Sequence, residues 1–114
     1  MGAAFVKHFY NPTTHLWSEP GRKAQEELTV QTTTSLAIEL QLVPKTDIPA
    51  VTQLLVDDVM VKQHGHLNVG IVGVKYLLSS LSQAGRTDVA LQVAQTPDIP
   101  GYVYMVKQGA TTLW

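Results

Sequence analysis

Three observations in the sequence predict an all-α fold built from helical hairpins. First, apolar residues recur at helical spacing in three stretches: Leu28, Leu36, Ala37, Leu40 and Val43; Val51, Leu54, Leu55 and Val59; and Ile71, Val74, Leu77, Leu78 and Leu81. Second, each stretch is closed by a residue with a mechanical reason to close it, Pro44, Gly65 and Gly85 in turn. Third, polar, small-residue segments precede alternate helices: VQTTTSLAIEL from Val30, HLNVGIVGVKYLL from His66 and KQGATTLW from Lys107, with separations of 36 and 41 residues. Such a period belongs to a two-helix repeat. Three hairpins are then expected, with second helices all starting at one end, where unpaired N–H groups and positive dipole ends gather and would meet a polar ligand. The loops of an ordinary helical bundle would give the same periodicity.

Residues 2–10 form a short helix stopped by Asn11 and Pro12. A loop over 18–21 follows Trp17, and a helix over about 25–43 contains Thr32, Thr33 and Thr34 despite their poor helix propensity. Thr46 or Asp47 caps the next helix, 47–63, with Pro49 in its first turn. The loop 66–70 leads into the stripe that ends at Gly85, and Thr87 caps a short helix to about 95, stopped by Pro97 and Pro100. YVYMV, 102–106, is expected to be extended or irregular, and the residues from Ala110 open a further helix.

At 114 residues the chain is one domain by size. Hydrophobic residues make up 45% and charged residues 15%, an apolar balance for so small a surface. Part of that apolar surface is expected to face another chain, or something that has been removed. Net charge is −1 and no basic run interleaves with aromatics, so nucleic acid is not an expected partner. No apolar stretch is long enough to span a bilayer and no leader is visible, so neither a membrane nor a secretory address is expected and the cytoplasm is the default compartment.

With no cysteine there are no disulfides, thiolate metal sites or cysteine nucleophiles. His64 and His66 could present two imidazoles from one side of an extended segment, but no third ligand is fixed nearby, and histidine beside a glycine stop suits a helix C-terminus. No metal and no cofactor is expected. Ser79, Ser80 and Ser82 lie inside a helix, where hydroxyls bond back to the preceding turn or face water. The acidic residues Glu19, Glu26, Glu27, Glu39, Asp47, Asp57, Asp58, Asp88 and Asp98 fall mostly in first turns or on solvated faces, and no two stand out as an acid–base pair. Trp17 is expected to pin its loop to the core, whereas Tyr102 and Trp114 flank the ligand side and could stack on a sugar.

Two longer segments carry a family resemblance. GHLNVGIVGVKYLLSSLSQAGRTDVALQVA at 65–94 and PGYVYMVKQGATTLW at 100–114 resemble the α-L-rhamnosidases of glycoside hydrolase family 78, whose members have an H-L-T-T-G loop, an L-x-x-x-G-R-x-D-x-A helix end and a G-A-T-T-x-W-E stretch. FYNPTTHLW resembles that family's F-Y-D-P-x-T-x-x-Y, and VQTTTSLAIELQLVP its Q-T-x-x-A-L-x-L-x-L-G-L-V-P, so the resemblance runs in order along nearly the whole chain. It implies hairpins making up about half of an (α/α)6 toroid, with residues 1–114 as a single partial domain, and the open flanks of such a half are expected to form a homo-oligomer through exposed apolar helix faces. It also implies inverting hydrolysis of terminal α-L-rhamnosides, a rhamnose-containing glycoside as ligand, and substrate contacts from His66, Tyr102 and Trp114. The family's general acid lies in an upstream motif and its general base is the glutamate directly after A-T-T-x-W. The expectation is therefore that residues 1–114 hold no catalytic residue and have no hydrolase activity alone. Asn68 and Val69 stand where the family has two threonines, so those hydroxyl contacts are not expected here. The alternatives are a non-catalytic carbohydrate-binding module and a helical assembly domain.

Overall fold

The computed structural model describes residues 2–18 and 30–112. Among the described residues six α-helices follow one another: α1 (Gly2–Phe9), α2 (Val30–Glu39), α3 (Ile48–Asp57), α4 (Ile71–Gln83), α5 (Thr87–Gln95) and α6 (Tyr102–Lys107). Among the described residues the only β pairing is an isolated antiparallel bridge between Tyr10 and Trp17. The fold is all-α, as the apolar spacing predicts.

α2 and α4 pack side by side and run parallel. Near their starts, Gln31 reaches the loop at His66 and Asn68, while near their ends Ser79 and Gln83 donate to the Glu39 carboxylate. α3 brings the chain back between them, so both helices begin at the same end of the molecule, which we call the loop end. The expected common start of alternate helices is therefore present for these two. The third repeat is described only to Thr112.

The predicted end of α2 differs from the structure. α2 stops at Glu39, ahead of Pro44, because Gln41 adopts a left-handed φ of 55° and the chain reverses with Leu42 N–H donating to the Ala37 carbonyl at 2.9 Å. Val43 is buried in the turn that follows rather than on the helix. The start expected near Gln25 lies outside the described residues. α3 is continued by a π-helical stretch, Asp58–Lys62, which gives together the span expected from Asp47 to Gln63. π geometry turns less per residue, so Asp58 and Val59, adjacent in sequence, are both buried. Asp58 is therefore not on a solvated face, as the sequence suggested.

Asp47 occupies the N-cap position of α3 without a side-chain cap bond; its carboxylate instead accepts from Tyr10 and Thr46. Arg86, not Thr87, is the N-cap residue of α5, and Thr87 is its first helical residue. Gly85 has the left-handed φ of 81° expected after α4. Residues 102–106 are helical, correcting the expected extended segment: Gly101, in an extended conformation, starts α6, and its carbonyl accepts from Met105 N–H at 3.1 Å. Alternating apolar and aromatic residues over only five positions did not separate the two periods.

The core has two parts. The larger joins Leu55, Val56 and Val59 to Leu67, Leu77, Leu81, Val89, Ala90 and Val93. The smaller, at the end opposite the loops, gathers Trp17, Ala37, Val43 and Val51 under α1, with Phe9 and Tyr10 against it. Trp17 is 8% exposed and its ring lies 4.7 Å from that of Tyr10, so it pins its loop as expected. Asn11 anchors that loop as an Asx turn, its Oδ1 accepting from the amides of Thr13 and Thr14. Ile71, placed on the core stripe by spacing, is 91% exposed because it is the first residue of α4, at the rim of the loop end.

Candidate functional site

At the loop end the π-helical continuation of α3 is followed by two successive left-handed residues, His64 (φ 52°) and Gly65 (φ 81°), which turn the chain sharply into the segment 66–70. Glycine suits the second position without steric cost. Three side chains then hold the segment. His66 Nδ1 lies 2.9 Å from the Gln63 carbonyl oxygen, Thr96 Oγ1 donates to the Gly65 carbonyl at 3.0 Å, and the buried Gln31 amide bonds the backbone at His66 and Asn68. A carbonyl only accepts, so Nδ1 of His66 carries the proton, and in the neutral ring Nε2 is the acceptor left for other contacts. Gly70, extended and without a side-chain cap, then starts α4 with no acidic residue in its first turn. The positive end of α4 is thus not neutralised by its own carboxylates.

Gly73 explains how α4 fits against α2. A Cβ there would overlap Thr32 Oγ1 and come within 3.1 Å of the Thr32 backbone, so the two helices touch almost backbone to backbone at the loop end. The threonines that seemed poor helix residues are small, β-branched groups at a helix–helix seam: Thr34 is fully buried and Thr32 meets Gly73. Tertiary contact overrides propensity here.

Of the three predicted ligand residues, His66 is half-buried on the loop segment. Tyr102 is half-buried at the start of α6, packed against the larger core, and burial pushes its phenol above the ordinary tyrosine value. The chain before it, 96–101, is tied to the His66 segment by the Thr96–Gly65 bond. A Cβ at Gly101 would lie 2.6 Å from the carbonyl oxygens of both Thr96 and Asp98, so the close approach of the backbone in this turn requires glycine there. Trp114 lies outside the described residues. Gln31, Gly73 and Thr96 were not singled out by the sequence reading. Gln31 and Gly73 sit inside segments quoted for the family resemblance, yet nothing in spacing separates an amide that bonds a loop from one that faces water.

The departures at Asn68 and Val69 leave this framework intact. Gln31 bonds the backbone N–H of residue 68, which any residue there except proline would offer, and Val69 packs against the larger core. Among the described residues no cluster of three His, Cys, Asp or Glu side chains could hold a metal, and no helix is long and apolar enough to cross a membrane. The carboxylates described are dispersed. Glu39 and Asp47 sit at the end opposite the loops, Asp57 accepts from Gln53, and Asp88 is held below its ordinary value chiefly by its hydrogen bonds from Arg86. Ser80 is buried and its Oγ donates back to the Leu77 carbonyl at 3.0 Å.

With this geometry in view, residues 1–114 match the bacterial α-L-rhamnosidase six-hairpin glycosidase domain along their whole length. The chain belongs to that family. It is 35% identical over 82 residues to an α-L-rhamnosidase of Formosa agariphila, a match covering 72% of this chain and 9% of that protein. An α-L-rhamnosidase of Streptomyces avermitilis is 33% identical over 79 residues, covering 69% and 8%. Among solved structures, the α-L-rhamnosidase from Dictyoglumus thermophilum superposes with a TM-score of 0.81 at 29% identity over 99% of this chain and 12% of its own. The Streptomyces avermitilis α-L-rhamnosidase complexed with L-rhamnose gives 0.79 at 26%, over 99% and 10%. The chain thus spans about a tenth of the length of the relatives it matches.

Proposed function

We propose that this chain supplies part of the sugar-binding wall of an α-L-rhamnosidase catalytic toroid, the whole toroid hydrolysing terminal α-L-rhamnosides with inversion. The observation that carries the reading is the loop end itself: α2 and α4 begin there side by side, and the segment around His66 is held there by three separate hydrogen-bonded anchors, in a chain that matches the six-hairpin family throughout. His66, Tyr102 and Trp114 are the proposed contacts, the imidazole Nε2 for a sugar hydroxyl and the aromatic rings for stacking.

In this reading residues 1–114 alone do not hydrolyse glycosides. Inverting hydrolysis needs an acid and a base on opposite faces of the scissile bond, roughly 6.5–9.5 Å apart. The described carboxylates other than the buried Asp58 are engaged with other side chains or stand on separate exposed elements. The purified chain is expected to leave an aryl α-L-rhamnoside unhydrolysed above the buffer rate while still taking up L-rhamnose in calorimetry. Turnover abolished by substituting an acidic residue of this chain would overturn the inactive reading, and binding indifferent to Tyr102→Ala would remove Tyr102 from the site.

Exposed apolar side chains favour a second property, self-association. Ile71, Val106, Val61, Ile99 and Leu40 are each at least 60% exposed, on surfaces that hairpins of a closed toroid would meet. Light scattering at micromolar concentration is expected to give a mass above that of one chain, and a single-chain mass would count against it.

A further inference from the structure

We propose that Gln31 is the positioning residue of the loop that carries His66: from inside α2 its amide holds the backbone of residues 66–68 as a neighbouring strand would, and so sets which way the free nitrogen of His66 faces. This rests on the reading of the loop end as a sugar site, and it adds a residue that touches no sugar.

Gln31 is fully buried, and a buried primary amide is costly unless both its ends are bonded. Both are. Nε2 donates to the His66 carbonyl at 3.3 Å and Oε1 accepts from the Asn68 N–H at 2.9 Å. The two bonds bracket Leu67, whose side chain is buried in the larger core. The segment is therefore gripped from two sides, with the backbone on either side of Leu67 held by the amide and the side chain held by the core. His66 comes immediately before that grip, and its own ring is tied back to Gln63. The depth of Gln31 is in turn fixed one residue later, where Thr32 meets Gly73 and allows α2 no sliding against α4.

The pairing also specifies the chemistry at position 31. One end must donate and the other accept, without charge, which an amide does at any pH. A carboxylate accepts at both ends and would set an oxygen against the His66 carbonyl; only its protonated form recovers the donor. Methionine keeps the length and burial and removes both bonds.

Accordingly, Q31M and Q31E in the full chain are compared with the wild type by circular dichroism, by amide exchange of Asn68 in NMR without sugar, and by calorimetric titration with L-rhamnose. Q31M is expected to keep its helix content, to exchange the Asn68 amide about tenfold faster, as loss of one buried hydrogen bond implies, and to weaken L-rhamnose binding by a similar factor. Q31E keeps an acceptor for the Asn68 amide in either protonation state, so its Asn68 exchange is expected to stay near the wild type, while its L-rhamnose affinity matches the wild type at each pH where the introduced carboxyl is protonated and falls toward that of Q31M where it is ionised, a dependence that packing alone would not produce. Unchanged Asn68 exchange in Q31M overturns the proposal, as does faster exchange with unchanged sugar affinity. Should Q31M not fold, Q31E against the wild type decides: affinity lost on ionisation upholds the proposal, and affinity equal to the wild type at every pH overturns it. Should the wild type bind no L-rhamnose, it is the sugar-site reading that fails, and exchange alone then upholds or overturns the hold of Gln31 on the loop.

Discussion

At the loop end α2 and α4 meet through Gly73 and Thr32 with a buried glutamine alongside, whereas at the opposite end they are joined by Ser79 and Gln83 donating to the exposed side of Glu39, at 3.0 and 2.7 Å. Both ends are hydrogen-bonded, but the two arrangements do not weigh equally. At the far end water competes for every partner, so each bond contributes little; at the loop end an unmade bond would leave a buried polar atom bare. The difference teaches that rigidity in this pair is concentrated at the loop end, beside the proposed ligand groups.

The sharpest way to break the comparison is Gly73→Ala. The added methyl group meets Thr32, including its backbone at 3.1 Å, and nothing flexible is available to give way. A loss of about 1–3 kcal/mol is expected in urea unfolding, even after the helix-propensity gain of alanine over glycine. Stability equal to wild type would mean that the seam is looser than described.

An intermediate case sharpens the contrast. Tyr10, at the far end, donates to Asp47 at 2.8 Å across 37 positions of sequence, and its phenol is raised above the ordinary value by burial first and by the Asp47 hydrogen bond and charge second. The folded chain keeps a proton that the unfolded chain releases above about pH 10. The unfolded state then binds fewer protons, so this contribution is complete below that pH and is lost as pH rises beyond it. Tyr10→Phe is expected to cost about 0.5–1.5 kcal/mol at neutral pH and to flatten the alkaline fall in stability, both measured by denaturant unfolding at several pH values. An unaltered alkaline limb would remove Tyr10 as its source.

The smallest effect belongs to Glu39→Gln. The substitution keeps an acceptor for Ser79 and Gln83 in a solvated setting, and the change should stay below about 0.5 kcal/mol. A loss as large as that for Gly73→Ala would erase the distinction between the two ends.

Much of the fold was legible because it rests on spacing. Val51, Leu55 and Val59 announce α3 and its π-helical continuation, and Leu77 and Leu81 announce α4, since burial on one helix face imposes a period. The common start of α2 and α4 was legible from repeated text. What escaped was set by contacts between distant residues. The left-handed Gln41 that stops α2 carries no glycine to mark it, and the short α6 offered too few residues for a period. At the candidate site His66 was legible from the family pattern. The grip on its loop was not, because Gln31 and Asn68 lie 37 residues apart and only folding brings them together.

The parallel course of α2 and α4 has a further consequence, for where the chain can change length. The connections over 40–47 and 84–86 both turn at the end away from His66. Lengthening a flexible connection raises its closure cost only logarithmically, by about 0.6 kcal/mol for each doubling. An insertion at the first turn would therefore lengthen the path from Gln31 to Asn68 without moving either bonded atom pair, and one at the second would leave that path untouched, whereas one residue added between Gly65 and Gly70 would displace the held segment itself. Room for variation and constraint are thus segregated to opposite ends of the same two helices.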